Sequence, residues 1–137
     1  MEVTSLRVYL DSCVVIYLVG EHPIFAPVVE SLLAKHPDII FQISGLTEME
    51  GLVIPLRNQN QQLIEKFRRW FDRNDILPNE RDVFQQAAQL RADHKSLKTP
   101  DAIHLATALH YGCDEFWTND DRLGKIAPSI AKNILSN

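Results

Sequence analysis

Four acids stand where a chain can assemble chemistry: Asp11, Glu50, Asp101 and Asp120. Asp11 closes an alternating apolar run from Leu6 to Leu10 and precedes Ser12-Cys13-Val14-Val15, so it sits where a strand gives way to a helix. Ligands of parallel α/β sheets gather beyond the carboxyl ends of the strands, although a lone Asp there serves equally well as a helix N-cap. Asp101 follows Thr99, a plausible N-cap, and Pro100, which suits a first helical turn. An acid at that place meets the helix dipole favourably. The helix it opens is apolar nearly all round, through Ala102, Ile103, Leu105, Ala106, Ala108 and Leu109, and an ionised carboxylate beside a buried surface is costly without a cation or strong hydrogen bonds.

Glu50 and its neighbour Glu48 lie on the helix expected after the second strand. Leu46, Met49, Glu50 and Val53 share a face at helical spacing, so Glu50 is expected to point inward and Glu48 to be solvated. Asp120 lies in Thr118-Asn119-Asp120-Asp121, directly after the short apolar run Phe116-Trp117. Turn residues explain that segment by themselves. Asp121 competes with Asp120 for any role, since neighbours on extended chain point opposite ways. If the acids converge, they repel one another and require protonation or cations. Ligation by oxygen alone suits magnesium or manganese rather than zinc or copper. Such ions activate water and neutralise charge on a phosphodiester in transfer, which points to metal-assisted phosphodiester hydrolysis.

The elements that must position these acids alternate between strand and helix, the pattern of an α/β fold with a mainly parallel sheet. Strands are expected over 6–10, 39–43, 75–78 and 116–118. Helices are expected from Ser12 through Leu18 with a stop at Gly20, over 25–35, and from Ser44 or Thr47 with a kink or end at Pro55. Further helices are expected over 59–72, with the stripe Leu63, Phe67, Trp70 and Phe71 read as core, over 81–95, and from Thr99 to Gly112. The tail from Pro128 carries no clear pattern.

The length of 137 residues fits one domain spanning 1–137, and 45% hydrophobic residues is ordinary for a globular chain. No apolar run could span a bilayer, and the segment Met1 to Arg7 lacks a secretory layout, so a cytoplasmic protein is expected. Cys13 and Cys113 form no Cys-x-x-Cys pair and the five histidines are scattered, which argues against zinc and against a disulfide scaffold. The net charge of −4 argues against tight nonspecific grip on nucleic acid. A haloacid-dehalogenase phosphatase needs a second Asp where Cys13 stands, and a receiver-like pocket needs paired acids near the first strand end; both are missing.

Taken together, Tyr9-Leu10-Asp11-Ser12-Cys13, Ser44-Gly45-Leu46-Thr47-Glu48-Met49-Glu50, Thr99-Pro100-Asp101-Ala102-Ile103-His104-Leu105-Ala106 and Trp117-Thr118-Asn119-Asp120 resemble, in order, the motifs of the PIN domain, specifically of VapC-type toxins of toxin–antitoxin pairs. The resemblance implies a three-layer α/β/α sandwich and a Mg2+- or Mn2+-dependent endoribonuclease. It implies that Asp11, Glu50 and Asp101 hold the metal, that Asp120 supports the metal or its water, and that Ser12 and Thr118 help orient water or phosphate. Attack by metal-activated water would leave a 5′-phosphate and a 3′-hydroxyl. Cys13 departs from the polar residue frequent in the family. The resemblance also implies a homodimer and a protein antitoxin that blocks the acidic crevice with a basic side chain. RNA phosphate contacts are assigned first to Arg122 and Lys125 and then to Lys98, because these lie nearest the acids in sequence. His104, one helical turn after Asp101, is placed to line the pocket but reads first as a buried structural histidine. A PIN-type RNA-processing nuclease without an antitoxin, and an inactive PIN-like scaffold, stay open as alternatives.

Overall fold

The computed structural model describes residues 5–135. The first four residues of the N-terminal segment considered above lie outside it. In chain order the elements are β1 (Arg7–Leu10), α1 (Ser12–Val19), α2 (Phe25–Lys35), β2 (Ile40–Ser44), α3 (Gly45–Arg57), α4 (Gln61–Asp72), β3 (Asp75–Leu77), α5 (Arg81–Asp93), α6 (Thr99–His110), β4 (Glu115–Thr118), α7 (Asp121–Ile126) and β5 (Ala131–Asn133). The five strands form one sheet in the order β3-β2-β1-β4-β5, and every pairing is parallel. The chain winds outward from β1 through β2 to β3, then returns to place β4 on the other side of β1. Helices cover both faces, giving the α/β/α sandwich expected from the alternating pattern.

Side chains of the central strand alternate between two apolar layers, as the two-residue period of a strand requires. Val8 and Leu10 pack with Val14, Val15, Phe41, Phe67, Phe71 and Trp117 on one face. Tyr9 packs with Leu105, Ala106, Phe116 and Leu123 on the other. The aromatic stripe of α4 is core at Phe67 and Phe71, which are 2% and 1% exposed. Helix α6 is buried at Ala102, His104, Leu105, Ala106, Thr107 and Ala108, as its all-round apolar character predicts.

Several local readings are corrected. Helix α3 runs through Pro55 to Arg57 rather than ending there. The ring is buried, and Pro55 removes a single helical donor while its own carbonyl accepts the N–H of Asn60. The inward face of α3 is Thr47, Gly51 and Pro55, not the Met49 and Val53 face, which is 58% and 36% exposed. Lys98, not Thr99, occupies the N-cap of α6, and Pro100 falls within its first turn. Helix α7 and strand β5 were not expected at all; α7 has six residues and β5 three, too short for a periodic signal. Among the described residues, no helix is long and apolar enough to cross a membrane.

Candidate active site

Asp11 leaves β1 in extended conformation, with φ −61° and ψ 150°, and caps α1. Its Oδ1 accepts the Ser12 N–H at 2.8 Å, while Oδ2 accepts the Thr118 hydroxyl at 2.7 Å from the end of β4. The capping role and the strand-end position therefore belong to the same side chain. Thr118 Oγ1 also accepts the N–H of Asp120 at 3.1 Å, tying the exits of β1 and β4 together.

Glu50 approaches from α3. Its Oε1 accepts the Ser12 hydroxyl at 2.7 Å and lies 2.6 Å from His104 Nε2 on α6. These contacts hold its carboxyl below the usual range, the His104 hydrogen bond contributing most and burial working against it. Glu48 is partly covered rather than solvated, and burial together with Asp72 pushes its carboxyl up. Ser12 and Thr118, expected to orient water or phosphate, have their hydroxyls engaged by the acids.

Asp101 stands in the first turn of α6, and its side chain makes no hydrogen bond among the described residues. Burial, then the charges of Asp11 and Asp120, push its carboxyl above the usual range. Asp120 caps α7 and is gripped by Arg122, whose Nη2 stands 2.6 Å from Oδ2 and whose Nε reaches Oδ1 at 3.1 Å. That grip is the first cause of its lowered carboxyl. Asp121 turns away and accepts the Asn133 amide at 2.8 Å.

Asp11, Glu50, Asp101 and Asp120 line one cleft of about 460 Å³, together with Ser12, Cys13, Ile16 and Asn119. Asp121 and Glu48 are not part of its lining. Neither Lys98 nor Lys125 lines it either, though Lys98 lies near enough to act on Asp120. Arg122, assigned to phosphate from sequence, is engaged by Asp120. Both cysteines are free, and burial pushes the Cys13 thiol up to about 12, so it behaves as an inert part of the wall. A second, largely apolar hollow of about 160 Å³ adjoins the cleft through Ile16 and Glu50 and includes Gly51, Ile54, Leu63 and Phe67.

The family of the chain follows from comparison with known proteins. A model of the PIN domain matches residues 8–128, a span that holds all four acids of the cleft. The chain belongs to the PIN-domain family. It is 27% identical over 131 residues to Ribonuclease VapC46 of Mycobacterium tuberculosis, covering 94% of this chain and 96% of that protein. It also resembles a chain of VapBC-1 from nontypeable Haemophilus influenzae, with a TM-score of 0.78 at 16% identity over 96% of this chain and 100% of that one. VapBC2 from Rickettsia felis, solved bound to a DNA fragment of its promoter, gives 0.76 at 18% identity over 93% and 98%.

Within this PIN domain the donors of the cleft are carboxylate oxygens, the set that suits a hard divalent cation. Burial first, and the neighbouring Asp11 and Asp120 charges next, raise the carboxyl of Asp101, a charge that a cation in the cleft would offset. Among the described residues, no group of three His, Cys, Asp or Glu side chains is gathered closely enough to hold one ion. Three of the acids have wall partners: Glu50 has His104 and Ser12, Asp120 has Arg122, and Asp11 has Ser12 and Thr118. The acids thus face one cleft while anchored to its walls. The sequence assigns no role to Tyr9; His104, one turn beyond Asp101, is buried as expected and touches Glu50 without lining the cleft.

Proposed function

We propose that this PIN domain is a Mg2+- or Mn2+-dependent endoribonuclease and the toxin of a toxin–antitoxin pair, acting in the cytoplasm as a homodimer. One observation carries the reading: acids from the ends of β1 and β4 and from α3 and α6 open into one cleft, with Asp101 left without an internal partner. The family and the relative named Ribonuclease VapC46 point the same way.

In this reading Asp11, Glu50 and Asp101 hold the metal and Asp120 supports it. A divalent ion acidifies water and offsets the charge of a phosphodiester. The chain supplies the rest. Thr118 and the Ser12 N–H fix the Asp11 carboxylate, and the Ser12 hydroxyl fixes Glu50. Arg122 and Lys125, with Lys98 three residues before Asp101, supply the positive charge available to RNA phosphates. The products are expected to carry 5′-phosphate and 3′-hydroxyl ends.

The test is RNA cleavage by purified protein freed of any partner, with and without Mn2+ or Mg2+. Cleavage should require the ion and fall by roughly 10²-fold or more in Asp11→Ala and in Asp101→Ala, the scale of losing several kcal/mol of charge stabilisation. Cleavage that survives either substitution, or that needs no divalent ion, counts against it.

The antitoxin is proposed to reach a basic side chain into the acidic cleft while an apolar segment covers the adjoining hollow, whose flank exposes Ile54 at 57%. A partner footprint remote from Asp11 and Asp101, mapped by chemical-shift perturbation, would refute this mode of inhibition.

A further inference from the structure

His104 is 1% exposed and so is shut off from any substrate, yet its ring joins the wall of the cleft to the interior. Nδ1 stands 2.6 Å from the Tyr9 hydroxyl, and Nε2 stands 2.6 Å from Glu50 Oε1 and 3.1 Å from Ser12 Oγ. Behind it, the Tyr9 hydroxyl lies 2.8 Å from Ser44 Oγ. Ser44 caps α3, the helix that carries Glu50, in a reciprocal capping box with Thr47.

The protons along this line can be assigned. Glu50 Oε1, a carboxylate oxygen, accepts from the groups that approach it. The Ser12 hydroxyl donates to Oε1 at 2.7 Å. The imidazole must therefore present Nε2–H to the carboxylate, because a bare Nε2 would set two acceptors face to face. Nδ1 then accepts the Tyr9 O–H at 2.6 Å. Tyr9 Oη is in turn free to accept the Ser44 hydroxyl. Oε1 is thereby occupied twice, while Oε2 makes no hydrogen bond among the described residues.

We propose that His104 is a positioning residue for Glu50: held by the Tyr9 hydroxyl, it fixes Oε1 through Nε2–H and leaves Oε2 as the one oxygen offered to the cleft. The role rests on the metal-site reading above, and it concerns orientation rather than contact with substrate. Partners behind a ligand typically change metal affinity by about 10- to 100-fold when removed.

The experiment combines histidine ring NMR of the 15N-labelled full chain with Mn2+ titration calorimetry. The His104 ring should carry a proton on Nε2 in the protein without added metal; a ring protonated on Nδ1 alone overturns the proposal, whatever the metal does. His104→Leu should weaken Mn2+ binding by about 10- to 100-fold. His104→Gln, which keeps an N–H donor, should recover part of that loss, and Tyr9→Phe should lose less than His104→Leu. Thermal melts identify folded variants. A folded His104→Leu variant that binds Mn2+ as tightly as the unsubstituted protein overturns the role, as does a folded His104→Gln variant that binds it no better than His104→Leu. Absence of Mn2+ binding by the unsubstituted protein instead overturns the metal-site reading, and the ring proton then decides the orientation alone.

Discussion

At the scale of single residues, Asp101 is where the electrostatics of the cleft are least balanced. Its carboxyl is raised by burial first and by Asp11 and Asp120 next. A carboxyl whose folded-state pKa lies above its unfolded value subtracts stability once pH exceeds the unfolded value, and the full penalty is present above the folded value. Below both, the two states are protonated alike and the penalty vanishes. Asp101→Asn is therefore expected to raise the Tm near neutral pH without divalent ions, and its advantage should shrink to nothing as pH falls below the ordinary aspartate range. Urea melts of both proteins across that window check the sign; an advantage that grows on acidification would contradict it. Glu50 reaches the cleft from a helix face other than the one its spacing suggests. Helical phase was argued from Leu46, Met49 and Val53, but the face that packs inward is Thr47, Gly51 and Pro55. None of those three advertises a core, because a threonine, a glycine and a proline lie outside any apolar count. Which of Asp120 and Asp121 faces the cleft is undecidable from sequence; Asp120 caps α7 and lines the cleft, while its neighbour accepts the Asn133 amide.

At the scale of elements, most of the frame was legible because its signals are local. The alternation in Leu6–Leu10, the apolar stripe of α4 and the uniformly apolar α6 each report a burial pattern within a few residues. The end of α6 adds a backbone signal. Gly112 has φ +68°, and two hydrogen bonds close the helix: Gly112 N–H to Leu109 carbonyl at 3.2 Å and Cys113 N–H to Ala108 carbonyl at 2.9 Å. This is the paired closure that favours glycine in the left-handed region. A methyl group at position 112 would meet nothing nearer than the Arg7 side chain at 4.0 Å. The cost of Gly112→Ala is therefore conformational alone, about 1–2 kcal/mol, and should appear as a lower urea midpoint with an unchanged slope. No loss would mean that the chain closes α6 in another way. What escaped notice at this scale was β5, where Ala131-Lys132-Asn133 offers no apolar alternation and pairing with β4 supplies the order.

At the scale of the whole molecule, the cleft is a product of topology. Strands β2 and β4 flank β1 on opposite sides, so the chain reverses its winding there, and the open carboxyl end of a sheet at such a reversal is where ligands settle. No local pattern encodes that convergence; the ordered set of motifs resembling the PIN domain supplied it, and the fold brings the four acids to one cleft. The consequence is a molecule that carries its least compatible charges at the junction of β1, α1, α3, α6 and α7. Each acid is restrained by a wall partner except Asp101, so the cleft resists collapse but gains nothing from its own charge. A divalent ion bound there would act on the folded state only, because the unfolded chain scatters the acids across more than a hundred residues. Binding to the folded state alone adds about 2.7 kcal/mol when free ion reaches 100 times its Kd. For a domain of this size that is an upward Tm shift of roughly 5–10 °C. Sodium chloride at matched ionic strength screens but does not bridge, and should yield much less. In Asp11→Asn/Asp101→Asn two of the proposed ligands are gone, so that variant should gain little or nothing from Mn2+. An equal Mn2+ shift in both proteins would locate the ion elsewhere. A shift in neither would mean that the acids of this cleft are balanced by a partner or substrate group instead of a metal.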